Sequence, residues 1–92
     1  MIPPDDKEAM AELMDPVLLC VHAYWVTCVG AMNQASKKFD VVATRHFESE
    51  STVAHQTLGK LIAFCDTEQL PLKTKFEKPG ANKIVGLDGK PI

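Results

Sequence analysis

Val17-Leu18-Leu19-Cys20-Val21-His22-Ala23-Tyr24-Trp25-Val26-Thr27-Cys28-Val29-Gly30-Ala31-Met32 is apolar on every side of a helix. Only His22 and Thr27 interrupt it. A surface helix of a small monomer shows one apolar stripe and one polar face. This run has no polar face and must be covered all round. It is shorter than the roughly 20 residues that span a bilayer, so the expectation is a soluble chain without a membrane partner. The whole chain has 92 residues, enough for one domain. A chain of this size buries only about 60–65% of its unfolded surface, which leaves little to cover the run. The run therefore predicts a homo-oligomer or a partner protein.

Outward from the run, Asp15-Pro16 reads as its start. Asp is a strong N-cap, and Pro suits the first helical position because its missing N–H would be unpaired there. The spacing predicts a helix from Pro16 to about Ser36, with Lys37 and Lys38 at its negative end. Before it, Pro3-Pro4 and Asp5-Asp6 predict a separate short helix over Lys7 to Met14. After it, Asp40 can cap a second long helix. Val42, Ala43, His46, Phe47, Val53, Ala54, Leu58, Leu61, Ile62 and Cys65 follow helical spacing. Glu48-Ser49-Glu50-Ser51 interrupts that stripe, so a break with a new serine cap is the alternative to one helix from Asp40 to about Asp66. Unbroken, that helix is about 40 Å long.

Two long helices joined by a few residues make an antiparallel hairpin. A turn near Lys37–Lys38 would set His22 against Val53–Ala54 and Gly30 against His46. Leu70-Pro71 ends the helical part. Leu72, Thr74 and Phe76 alternate with Lys73, Lys75 and Glu77, which fits an edge strand. Lys78-Pro79-Gly80-Ala81-Asn82 reads as a turn, Ile84-Val85 as a second short strand and Asp88-Gly89 as another turn. The fold expected is thus mainly α: a helical domain over 1–70, and a C-terminal extended arm or small β-hairpin over 71–92.

Charge and cysteine content narrow the function. The net charge is −2, which argues against duplex nucleic acid, since phosphate binding needs clustered Lys and Arg. Residues 1–16 carry five acids against Lys7, a net of −4, and residues 71–92 carry five lysines against Glu77 and Asp88, a net of +3. Two solvated ends, head-to-tail attraction and an anion-binding tail all fit that asymmetry. Cys20, Cys28 and Cys65 form no CxxC pair and the start Met-Ile-Pro-Pro-Asp-Asp has no export character. Reduced, structural thiols in a cytoplasmic protein are expected.

Catalytic and metal chemistry find little support. Zinc takes four close ligands, often at short spacings. Cys20 and His22 leave one helix on different sides, and Cys20 and Cys28 stand about 12 Å apart along its axis. Neither Ser49 nor Ser51 has a Gly-rich turn for an oxyanion site. Glu48 and Glu50 diverge on a helix, and no GxGxxG or P-loop pattern occurs. No enzyme, metal or cofactor is expected. A buried His22 needs a partner, since an unpaired buried polar group costs about 1–3 kcal/mol; Glu48, Glu50 and Thr27 are the candidates. His22 or His46 lining a ligand pocket is the alternative. Tyr24 and Trp25, being adjacent, face different ways, so at most one enters the hairpin core. The other packs on a second subunit or stacks on a ligand. Trp25, Leu18, Val21, Val29 and Met32 are the expected interface residues.

Ala43-Thr44-Arg45-His46-Phe47-Glu48, followed by Ala54, resembles the second helix of small phage proteins that counter cyclic-oligonucleotide immune signalling. Those proteins are helical hairpins that form compact oligomers and sequester the cyclic nucleotide without cleaving it. Their helix tends to end rich in aromatics and Ala, where this chain has Val53-Ala54-His55-Gln56-Thr57-Leu58, and the arm after Leu70 has no counterpart. The resemblance implies an oligomeric anti-defence binder of a cyclic nucleotide. Arg45, Lys37, Lys38 or Lys60 would then meet phosphate as charge-assisted donors, with His46 beside Arg45 and Tyr24 or Trp25 stacking on a base at a subunit junction. The other reading is an inhibitor or adaptor that docks its helical face on a host protein, or a structural subunit of a larger assembly.

Overall fold

A computed structural model of the chain describes residues 2–74. Two helices account for nearly all of them: α1 over Pro4–Lys37 and α2 over Val41–Thr67. They pack side by side as a hairpin in a rod 52 Å long and about 20 Å across.

The expected short N-terminal helix does not exist as a separate element. α1 runs through Pro16 as one helix of 34 residues. The proline rule applies at Pro4, which follows Pro3 at the helix start and precedes Asp5 and Asp6 in the first turn. At Pro16 the missing N–H leaves the Glu12 carbonyl without its helical donor. Both residues are exposed, so water can serve that carbonyl. The helix persists because Ala11 is buried, and Met10 and Met14 pack, in the cluster formed with Ile62, Cys65 and Leu70. Asp15 is not a cap. Its carboxylate accepts from the backbone N–H of Lys73 at 3.1 Å and of Thr74 at 3.4 Å, tying the chain beyond α2 to the middle of α1.

α2 is unbroken across Glu48-Ser49-Glu50-Ser51. Asp40 caps it as expected, its side chain accepting from Ala43 N–H at 3.0 Å. The turn is a Schellman closure of α1: Phe39 N–H reaches Ser36 O and Asp40 N–H reaches Ala35 O, both at 3.0 Å. That closure requires the left-handed region at Phe39, whose φ is 57°. α2 ends the same way, with Gln69 at φ 54° and Leu70 N–H on Cys65 O.

The seam between the helices follows alternating gaps of three and four residues, the pattern of helices that cross at a shallow angle. On α1 it runs through Ala11, Met14, Leu18, Val21, Trp25, Cys28, Met32 and Ala35; on α2 through Phe47, Ser51, Ala54, Leu58, Leu61 and Cys65. Leu18 and Leu58 are its most enclosed large side chains. His55 and Ile62, each one residue past a seam position on α2, are also buried. The stripe expected on α2 included Val42 and Val53. Both are exposed, and Ser51 and His55 take buried places instead.

Beyond α2 no strand forms among the described residues. Leu72 turns back, its N–H on Leu70 O at 2.9 Å, and packs on the hairpin core. The rest of the expected arm, from Lys75 through the second strand and both turns, lies outside the described residues.

Candidate interaction surface

The sites begin where the seam ends. On α1 Leu13, Val17, Cys20 and Tyr24 are exposed beside it, and on α2 Val53 and Phe64. Cys20, Val21, Tyr24, Val53, Ala54 and Thr57 line an open apolar hollow of about 250 Å³, which places these parts of the two helices on one flank. The Tyr24 hydroxyl donates to Glu50 Oε2 at 2.7 Å across the same flank. That carboxylate holds the phenol proton and raises the Tyr24 pKa above the ordinary phenol range. Tyr24 is half exposed, so its ring remains available to a partner while its hydroxyl is held.

The other flank carries a ring cluster. His22 stands edge-on to Trp25 at 5.8 Å, and Trp25 lies 5.3 Å from the ring of His55. His55 is buried, and desolvation lowers its pKa. Among the described residues neither His55 Nε2 nor Trp25 Nε1 has a hydrogen-bond partner. The signal for His55 was present as spacing, since 51, 55, 58, 62 and 65 alternate gaps of four and three. Its polar identity hid it. Ser51 is buried without penalty because its hydroxyl donates to Glu48 O at 2.8 Å.

The residues expected at the subunit interface need correction. Leu18 is fully buried and Met32 is 4% exposed, both within the chain's own hairpin, so neither has surface left for a partner. Val21 and Trp25 are half-buried and packed against the hairpin core, and Val29 is half-buried. Trp25 is thus the aromatic that enters the core, and Tyr24 the one that faces outward. Cys20 is exposed and not enclosed as expected; Cys28 and Cys65 are buried, and all three are free thiols. Burial, with Asp66 adding to it, raises the Cys65 thiol.

The expected ligand residues do not meet in one pocket of one chain. Lys37 and Lys38 are exposed at the hairpin turn. Arg45 and His46 are exposed in the first half of α2, where Arg45 shares a shallow hollow with Glu48, Ser49, Thr52 and Val53. The His46 ring stands edge-on to Phe47 at 5.2 Å. Tyr24 lies about 20 Å along α1 from Lys37. Val53 borders both hollows, which places Arg45, together with Glu48, next to the apolar flank.

Among the described residues no group of three or more His, Cys, Asp or Glu side chains could hold a metal ion. By length and composition alone α1 could cross a membrane, with a stretch of mean hydropathy 1.4 of which 11% is buried. Comparison with protein-family models, with curated proteins and with solved structures finds no match for this chain.

Proposed function

We propose that this chain is a non-enzymatic, water-soluble helical-hairpin binding protein that works as an oligomer in the cytoplasm. The observation that carries the reading is the flank on which Leu13 is 66%, Val17 43%, Tyr24 49%, Val53 60% and Phe64 43% exposed. Contiguous exposed apolar residues mark a surface meant to be covered. The non-enzymatic part is supported by the state of the nucleophiles. Ser51 is engaged with its own helix, Cys28 and Cys65 are buried, and the exposed Cys20 lies in a hollow lined by no basic side chain that would activate it.

The ligand in this reading is a small anionic nucleotide, cyclic as in the phage proteins that α2 resembles. Support comes from Arg45, the chain's single Arg, exposed at the edge of the apolar flank. A guanidinium matches two phosphate oxygens at once. The ligand would lie where copies meet, because one chain does not gather Arg45, His46, Tyr24, Lys37 and Lys38. Native mass spectrometry of freshly purified protein tests both parts together, reading subunit number and any retained nucleotide. Calorimetry with cyclic di- and trinucleotides follows. Binding by the wild type that Arg45→Ala abolishes in an intact oligomer supports the nucleotide reading, and no binding at tens of micromolar ends it. A stable folded monomer at low micromolar concentration would sink the oligomer.

A second reading, docking on a host protein or within a larger assembly, is favoured by the hairpin tip. Phe39 is 90%, Val41 59% and Val42 80% exposed there. A tip that stays apolar in the oligomer would serve such contact. Flotation with lipid vesicles separates both readings from a membrane role for α1.

A further inference from the structure

The apolar flank has an order that the exposures alone do not reveal. On α1 it consists of Leu13, Val17, Cys20, Tyr24, Thr27 and Ala31, each one residue before a seam residue. On α2 it consists of His46, Glu50, Val53, Thr57, Lys60 and Phe64, again each one residue before a seam residue. One residue is about 100° of helix, so both rows are turned from the seam by the same angle. In antiparallel helices those rows fall on the same side. The Tyr24–Glu50 hydrogen bond and the hollow shared by Cys20, Tyr24, Val53 and Thr57 confirm it. On this side Leu13, Val17, Tyr24, Val53 and Phe64 present exposed apolar side chains between the polar His46, Glu50, Thr57 and Lys60 of α2, a mixed face of the kind on which a second hairpin can seat.

The rows are also symmetric in their charges. On α2 Glu50 and Lys60 lie at equal distances on either side of the Val53–Thr57 pair. On α1 Val17 and Thr27 flank Cys20 and Tyr24 equally, at the same level of the rod, as the shared hollow shows. Resting on the oligomeric reading above, we propose that the occupant of this flank is a second copy of the chain, related by a two-fold axis that crosses the hairpin between Val53 and Thr57. Rotation about that axis lays α2 antiparallel on α2 of the partner. Glu50 then meets Lys60 of the partner subunit, and Lys60 meets the partner subunit's Glu50. Val53 meets Thr57 of the partner subunit. A two-fold along the rod would set Glu50 and Lys60 against α1 and leave both charges unpaired. Glu50 can serve Tyr24 and a lysine together, since among the described residues Tyr24 engages Oε2 alone and a carboxylate has two acceptor oxygens. From Leu13 to Ala31 the flank is about 27 Å long and the rod is about 20 Å wide. That is roughly 500 Å² in projection and more as accessible surface, near the ~800 Å² per partner of a stable dimer.

Sedimentation equilibrium of the full chain tests the pairing. Glu50→Lys and Lys60→Glu each place like charges together, and each is expected to weaken the dimer at least about tenfold; the double reversal restores it to within about threefold. Helicity by circular dichroism is followed for every variant. Should Glu50→Lys lose its fold, salt dependence of the wild-type dimer against Lys60→Gln decides instead, the wild type weakening with salt and the variant not. Cys20 adds an independent readout. The axis brings it within one helical turn of the partner's Cys20, and a short bis-maleimide should join two copies through it. A monomeric wild type overturns the oligomeric reading and this one with it. An oligomer indifferent to single reversals, or not rescued by the double, overturns this pairing alone. Monomers that float with vesicles or bind only another protein assign the flank to that partner and overturn the second copy.

Discussion

Val17 and Leu18 are neighbours in sequence and alike in chemistry, yet Leu18 is fully buried and Val17 is 43% exposed. The same contrast repeats along α1 in Cys20 and Val21, and in Tyr24 and Trp25. On α1 the seam and the flank are two largely apolar rows set one residue apart. What separates them is that, among the described residues, α2 is the single helix that packs on α1. The seam is stabilised by α2, and the flank keeps the cost of its hydration until something covers it.

The largest effect that tests this contrast is truncation in each row. Leu18→Ala should destabilise the fold by about 3–5 kcal/mol, because a fully enclosed side chain leaves a cavity. Val17→Ala should change the fold by less than about 1 kcal/mol and act on association instead. Denaturant unfolding at several protein concentrations separates the two, and equal losses of fold would break the distinction.

Thiol labelling sharpens it next. Cys20 on the flank should react with a maleimide in the native protein, while Cys28 and Cys65 in the seam should lag by about a thousandfold or more, reacting only when the hairpin opens. Mass spectrometry of timed samples reads all three sites. If the flank is covered by a second copy, Cys20 labelling slows as protein concentration rises. Fast labelling of Cys65 would mean that the terminal end of the seam frays.

The histidines make the same comparison through pH. His55 is buried, and its pKa is lowered by desolvation; His46 is exposed on the flank. As pH falls below the ordinary imidazole value of about 6.5, the unfolded chain takes up the proton first. The His55 contribution should therefore be level above about pH 6.5 and decline below it, until the lowered value is passed. His55→Leu should flatten that slope. An unchanged slope in His55→Leu would show that another group carries it.

The smallest effect lies at the turn. Phe39 holds a left-handed φ of 57° with 90% of its side chain exposed. Phe39→Gly should raise stability by up to about 1 kcal/mol, relief of backbone strain exceeding the gain in unfolded-chain freedom. Thermal melting measures it, and a loss of stability would show that the Phe39 ring is packed in the assembled protein.

The hairpin itself was legible because its signals are local. Asp40 as a cap, the Lys37–Lys38 turn and the helical spacing from Val42 to Cys65 each depend on residues a few positions apart. Two readings failed for a common reason. Asp15-Pro16 has the local chemistry of a helix start, but burial of Ala11 and Met14 against Ile62, Cys65 and Leu70 keeps the helix going. Ser51 and His55 look like surface residues, but their places on α2 face α1. In both cases contacts distant in sequence outweigh a local preference of a few kcal/mol at most.

By itself the sequence determined a hairpin of two long helices, the Asp40 cap, the turn near Lys37–Lys38 and an apolar run with no polar face; it did not determine where α1 begins. It could not say which apolar row of Val17–Met32 becomes the seam. A helix apolar all round has no moment to orient it, and Val17 and Leu18 are equally fit for burial. That choice belongs to the tertiary structure, in which α2 can lie on only one side of α1. It sent Leu18, Trp25 and Met32 to the seam and left Val17, Cys20 and Tyr24 facing outward.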